Sequence, residues 1–222
     1  MLAITAAPSR ILQKDVNIVL SPRRVHAPDG LHHALRALPE WSLSVTASKA
    51  ELPTAAARLL EPLCSLELRA ALHSQLVDLA SEYCTVLGLS AVEATLEHVK
   101  GVTCPRFHAD SVGVRCLCTL SGPGTLWVED RYVNRTRLRS LPREDREGWT
   151  AIRSPAAVRQ AAPGEVLYLK GSQFPGAEGR GAVHRSPDTA GGTMPRLLFK
   201  LDAPSWPVGG AHGAACAAGC AH

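Results

Sequence analysis

His108 and Asp110 stand two residues apart in CPRFHADSVGVRCLCTLSGPGTLW (104–127), just ahead of a strand-like run. In an extended segment side chains alternate faces, so an imidazole and a carboxylate at i and i+2 can grip one cation from the same side. A third ligand is available downstream as His184, in GRGAVHRSPDT (179–189). Two histidines and one carboxylate form the facial triad that leaves coordination positions open on non-haem iron(II) for substrate and dioxygen. The same donors also suit zinc, which has no redox chemistry. The metal therefore separates an oxygenase from a zinc-binding protein, non-catalytic or a hydrolase that activates water.

The elements that must position these residues fall into two regimes, which meet near residue 100. In the first, 15–20 (DVNIVL) and 41–47 (WSLSVTA) read as strands, and 30–38 (GLHHALRAL) as a short helix ending before Pro39. From Glu61 to Leu87 apolar residues recur at helical intervals, predicting a long helix that Gly88 stops. From Ala91 onward the pattern turns to short strands: VEATLEHVK, VGVRCLCTL, TLWVEDRYV, GEVLYLKG, GAVHRS and RLLFKLD. Pro163 and Gly164 make a turn into one of them, and the arginine-rich stretch 134–150 reads as an exposed loop or lid.

The expectation is an α+β protein. A double-stranded β-helix (jelly-roll or cupin-like) core over 91–203 binds the metal, a helix-rich scaffold over 1–90 packs on it, and 204–222 form a flexible Gly/Ala-rich tail. That tail ends in AHGAACAAGCAH, where His212, Cys216, Cys220 and His222 offer two thiolates and two imidazoles, a zinc-type set. It lacks the apolar residues of a folded zinc finger, so any role there is metal capture or sensing, separate from the core site.

Composition bounds the remaining classes. The chain has 222 residues, 45% hydrophobic and 20% charged, and a formal net charge of +4. Its length suits one domain with a full core. The arginines between Arg131 and Arg159 are scattered, so a nucleic-acid partner is not expected. A small molecule or a protein or peptide segment is the expected substrate class. No apolar run approaches the roughly 18 to 20 residues of a membrane span. Seven cysteines without a regular framework, behind an amino terminus lacking a signal-peptide pattern, point to a reduced, cytoplasmic chain. Cys64, Cys84, Cys116 and Cys118 read as buried small apolar residues.

From Cys104 to Asp202 the order of motifs resembles the iron(II) and 2-oxoglutarate-dependent dioxygenases, in particular the prolyl-hydroxylase-like branch. An H-x-D opens the core (His108, Asp110), a strand leads to a glycine turn ending in Thr (Gly122, Gly124, Thr125), and a Pro-Gly turn (Pro163, Gly164) introduces a buried strand. A distal histidine (His184) then precedes a basic residue (Arg196). The resemblance implies iron at the triad, with 2-oxoglutarate as cosubstrate. It also implies a cation for the distal carboxylate, which an arginine fork holds bidentately. Arg196, twelve residues after His184, fills that place; Lys200 on the same strand face is the alternative, and Arg115 and Lys170 are weaker candidates.

The chain is also similar to a bacterial family of uncharacterised function that shares a CPRFH-x-D segment, a GPGT turn, an apolar strand ending in Lys-Gly and an HRSP segment. All four are present, and the similarity runs from about Val16 to Asp202. It carries an association with bacterial zinc homeostasis, which keeps a zinc-linked role open. Leu126 departs from the Glu common in relatives between Thr and Trp. Around the triad, Ser186 is a candidate to orient a ligand, Arg185 and Ser186 also read as turn residues, Trp127 as core or cavity lining, and Cys104 as a more remote approach to the metal.

Overall fold

The computed structural model describes residues 1–189 and 194–204. The tail set His212, Cys216, Cys220 and His222, and the flexible-tail expectation with it, lies outside the described residues.

Helices and strands alternate in an α+β arrangement. In chain order they are β1 (Leu2–Thr5), β2 (Val16–Arg24), α1 (Leu31–Ala37), β3 (Trp41–Ser48), α2 (Leu52–Leu59), α3 (Leu66–Leu87) and β4 (Ala91–Val99). There follow β5 (Val114–Ser121), β6 (Leu126–Val128), α4 (Arg135–Arg139), β7 (Arg159–Gln160), β8 (Glu165–Lys170), β9 (Val183–Arg185) and β10 (Arg196–Asp202).

The long helix begins five residues later than its apolar spacing suggests. Pro62 breaks the chain after α2, and Ser65 then caps α3 by accepting from the Leu68 amide at 3.2 Å. Gly88, at φ 66°, closes the helix in the left-handed conformation that glycine adopts without strain. Between the two helices Cys64 is exposed, unlike the expectation, because it falls in the connecting turn; Cys84, Cys116 and Cys118 are buried. The expected strand at 125–133 is shorter too, since a 3-10 turn at Asp130–Tyr132 ends it after β6.

A seven-stranded sheet runs β1-β2-β8-β5-β10-β4-β3, and a three-stranded sheet runs β7-β6-β9. Helices of the N-terminal half cover the large sheet, but strands β1 to β3 belong to that same sheet, so no break in pairing occurs at residue 90. Alternation assigns the two faces. Val114, Cys116, Cys118 and Leu120 of β5, with Leu197, Phe199 and Leu201 of β10, join the cluster under α2 and α3. Leu117 and Leu198 pack in a second cluster with Ile18, Leu167 and Leu169 and with Trp127 and Ala182 of the small-sheet region. The space between the sheets therefore receives Arg115, Leu117 and Thr119 from β5 and Arg196, Leu198, Lys200 and Asp202 from β10. Among the described residues no helix is long and apolar enough to cross a membrane.

Lys170 lies on the helix side of β8, buried, with its ammonium donating to the Gln13 carbonyl and 4.2 Å from the Phe174 ring centroid. Burial pulls its pKa down from 10.5 to about 8. Between those values the unfolded chain holds the proton and the folded one does not, so stability rises with pH across that window. We expect a gain of roughly 1–3 kcal/mol from pH 8 to 10.5, read by denaturant titration and absent in Lys170→Met. Equal pH profiles for the two proteins would contradict it.

Candidate metal centre

His184 sits in β9, whose neighbours assign its direction. Val183 packs on the outer face of the small sheet with Phe107, Val128, Val133 and Ile152, and Ala182 packs inside. His184 therefore points between the sheets. Its main chain pairs with Trp127 of β6 on one side and with His108 on the other, through reciprocal N–H to carbonyl bonds of 3.0 Å. The segment before β5 thus continues the small sheet by one bridge, with Phe107 outward and His108 inward. Ser186 fastens the same junction, since its hydroxyl accepts from the Cys104 amide at 3.3 Å and lies 2.9 Å from the Thr103 hydroxyl.

Each imidazole is oriented by its own backbone. His108 Nδ1 lies 2.8 Å from the Arg106 carbonyl and His184 Nδ1 lies 3.2 Å from the Ala182 carbonyl. A carbonyl only accepts, so both Nδ1 atoms carry a proton and leave Nε2 free to face Asp110. His108 Nε2 is 3.3 Å from Oδ1 and His184 Nε2 is 3.2 Å from Oδ2. The three ligand atoms lie within 4.8 Å of one another, and the rings are 4.6 Å apart. Burial pushes the Asp110 carboxyl up, yet the neighbouring imidazoles of His184 and His108 and the Arg115 guanidinium outweigh it and hold Asp110 well below the usual carboxylate range. Burial likewise lowers His108, but Asp110 overcomes it and raises the imidazole above its ordinary value.

Two glycines make room for this geometry. A Cβ on Gly171, at the end of β8, would stand 2.1 Å from the Val112 carbonyl and 2.8 Å from that of Asp110. Only a bare backbone lets β8 press on the loop carrying the carboxylate. Gly171→Ala is expected to cost about 1–3 kcal/mol, the usual penalty of overpacking, measured by thermal denaturation; an unshifted midpoint would contradict the contact. Gly122, at φ 84°, leads the GPGT turn over β10, where a Cβ would meet the Pro195 carbonyl at 2.4 Å and Arg196 Cα at 3.1 Å.

That turn brings Thr125 to Arg196. The Arg196 side chain is 1% exposed, and its Nη2 reaches only weak contacts to the Thr119 and Thr125 hydroxyls at 3.4 and 3.5 Å. Among the described residues its buried Nε and Nη1 have no hydrogen-bond partner, and no carboxylate comes within ion-pair distance. Burial lowers its pKa to about 10, so it stays charged at neutral pH. An unpaired buried cation costs several kcal/mol in isolation.

The other expected anchors are committed elsewhere. Lys200 shares the inner face of β10 but donates to Glu97 of β4 at 2.9 Å. Arg115 grips Asp202 through Nε and Nη2 at 2.8 and 2.7 Å and approaches Asp110 Oδ2 through Nη1 at 2.8 Å. Lys170 faces the helices. Cys104 is not among the residues whose ligand atoms converge, and Arg185 points to the outer face, against Glu147, Phe107 and Trp149. The 134–150 stretch is tied down on that face, with the Phe107 amide donating to the Glu147 carbonyl at 2.8 Å and Trp149 edge-on to Phe107.

Over residues 5–202 the chain matches the model of a family described as protein of unknown function, DUF1826. It belongs to the DUF1826 family. No curated protein matches this DUF1826 chain. Among solved structures it is similar to a dioxygenase for auxin oxidation from Arabidopsis thaliana, solved with 2-oxoglutarate, at 11% identity and a TM-score of 0.44 over 91% of this chain and 92% of that one. A full-length Neurospora crassa protein solved with alpha-KG matches at 11% identity and TM-score 0.42, covering 88% and 77% of the two chains. AviO1 from Streptomyces viridochromogenes matches at 15% identity and TM-score 0.41, covering 91% and 99%.

Proposed function

We propose that this DUF1826 protein is a non-haem iron(II)- and 2-oxoglutarate-dependent oxygenase, and that its two sheets form the double-stranded β-helix of that enzyme class. Sheet order supports the fold reading: β5 lies between β8 and β10, and the small sheet faces them across one apolar cluster. The donor set fits iron(II): two imidazoles and a carboxylate, their ligand atoms within 4.8 Å of one another, are the set that leaves coordination positions open on that metal. The observation that carries the proposal is Arg196. A site that only stored zinc, or used it to activate water, has no need of a buried guanidinium with two idle nitrogens.

Each residue then has a task. His108, Asp110 and His184 would hold the metal, and the backbone carbonyls behind the two imidazoles keep their tautomers and ring planes fixed before it arrives. Arg196, with Thr119 and Thr125 beside it, would hold the distal carboxylate of 2-oxoglutarate by charge-assisted hydrogen bonds. Leu117 and Leu198 alternate with Arg115, Thr119, Arg196 and Lys200 on the inner faces, and supply apolar wall for the cosubstrate's methylenes while excluding water. When bound, iron and the keto acid supply oxidative chemistry in which 2-oxoglutarate, dioxygen and a C–H bond become succinate, carbon dioxide and a hydroxylated product.

Aerobic incubation of the iron-loaded protein with labelled 2-oxoglutarate tests the reaction. Iron-dependent release of labelled carbon dioxide with matching succinate is the expected result, and Asp110→Asn should lower it by more than about 100-fold, beyond the range reported for loss of a partner one shell further out. Label release unchanged in Asp110→Asn would refute the assignment.

A further inference from the structure

The guanidinium of Arg115 lies between two carboxylates. On one side it holds Asp202 with three contacts, Nε to Oδ1 at 2.8 Å, Nε to Oδ2 at 3.2 Å and Nη2 to Oδ2 at 2.7 Å. On the other its Nη1 stands 2.8 Å from Oδ2 of Asp110, an ion pair without hydrogen-bond alignment, and the same Oδ2 lies 3.2 Å from His184 Nε2. The three groups are largely shielded, with side-chain exposures of 13%, 20% and 13% for Asp110, Arg115 and Asp202. A planar fork fixed on one carboxylate has little freedom to move relative to the other.

We infer that Arg115, clamped by Asp202, is the positioning residue of the metal centre: its charge beside Oδ2 fixes the orientation of the Asp110 carboxylate and leaves Oδ1 the better donor to the cation. This inference rests on the iron-binding reading of His108, Asp110 and His184. Its consequence follows from counting an octahedron. Two imidazoles and one oxygen leave three positions, enough for a chelating keto acid and dioxygen, whereas a carboxylate gripping through both oxygens leaves two, which the keto acid fills. Strand β10 then sets both ends of the site from one inner face, since Arg196 begins the strand and Asp202 ends it. The strand register explains why Asp202 meets this arginine: Leu201 is opposite Cys116 and Lys200 opposite Leu117, which brings Asp202 level with Arg115.

Manganese(II) is the probe, titrated into full-length protein and followed by the loss of its free-ion magnetic resonance signal well below each variant's melting transition. Arg115→Met should weaken binding by roughly 10–100-fold, the effect typical of removing a group that orients a metal ligand. Arg115→Lys, which keeps a charge and an N–H donor, should recover part of that loss, and Asp202→Asn should fall between wild type and Arg115→Met. A group that merely ties β5 to β10 would lower the melting temperature of all three variants without moving the dissociation constant, and that result overturns the inference. If Arg115→Met does not fold, the ranking of Arg115→Lys and Asp202→Asn decides: both weaker than wild type supports the inference, both equal to wild type overturns it. Unchanged variants beside a wild type that binds manganese defeat the positioning role alone. A wild type that binds none defeats the metal-site reading, and the inference with it.

Discussion

Arg196→Met is expected to weaken 2-oxoglutarate binding by at least about 100-fold and, at the same time, to make the protein without cosubstrate more stable. The first effect follows from removing two or more charge-assisted hydrogen bonds, each contributing roughly 1.5–3 kcal/mol. The second follows because the guanidinium is 1% exposed with two idle nitrogens, and an apolar side chain of similar length relieves an uncompensated buried charge. Calorimetry with 2-oxoglutarate under anaerobic conditions reads the affinity, and thermal denaturation reads the stability. An arginine kept for structure would give the reverse pattern, with a lower melting temperature and unaltered cosubstrate binding. The opposed signs make this variant more informative than a simple loss.

His184→Ala is expected to abolish stoichiometric iron binding while preserving the fold. Its main-chain bonds to His108 and its pairing with Trp127 do not involve the imidazole, so the ladder survives the truncation. On the proposed function what is lost is one of the three candidate ligands among the described residues, an effect larger than the roughly 10–100-fold typical of losing a group that orients a ligand. Metal analysis after anaerobic loading, with circular dichroism as the control for folding, checks both parts. Retention of one iron per chain in this variant would remove His184 from the site.

The convergence of His108, Asp110 and His184 was legible in the sequence because its information is local. His108 and Asp110 are two apart, and His184 sits in a short strand between glycine and proline, where alternation determines its face. The inward, buried position of Arg196 was legible for a similar reason, since it opens an apolar strand whose parity separates it from Leu197 and Phe199. Choosing among the cations was not. Lys200 shares that parity, and only the register of β10 on β4 shows Glu97 taking its ammonium. Arg115 also has inner parity, but its use depends on Asp202, 87 residues away in sequence and level with it only after β5 and β10 pair.

The fold shows the same division. Periodicity located the strands before and after the site and the long helix with its Gly88 stop, because burial on one face writes a repeat into the chain. Pairing between distant strands writes none. Nothing in DVNIVL or WSLSVTA indicates that β2 joins β8 and β3 joins β4 within the sheet that carries the site, and a helix-rich scaffold was the natural reading of that half. Glu147 and Trp149 were missed as supports for the His184 strand because 134–150 has no periodicity; the one available clue was the aromatic and acidic pair within an arginine-rich stretch.

On the proposed function, iron and a keto acid share one site, with Arg196 at its far end. Anaerobic titration of the iron(II)-loaded protein with 2-oxoglutarate, followed by visible absorption, tests it most directly. The account predicts saturation at one equivalent with a new metal-to-keto-acid charge-transfer band that requires iron and is weakened by Arg196→Met. A protein that takes up one metal ion and then shows neither the band nor any binding of 2-oxoglutarate would contradict it.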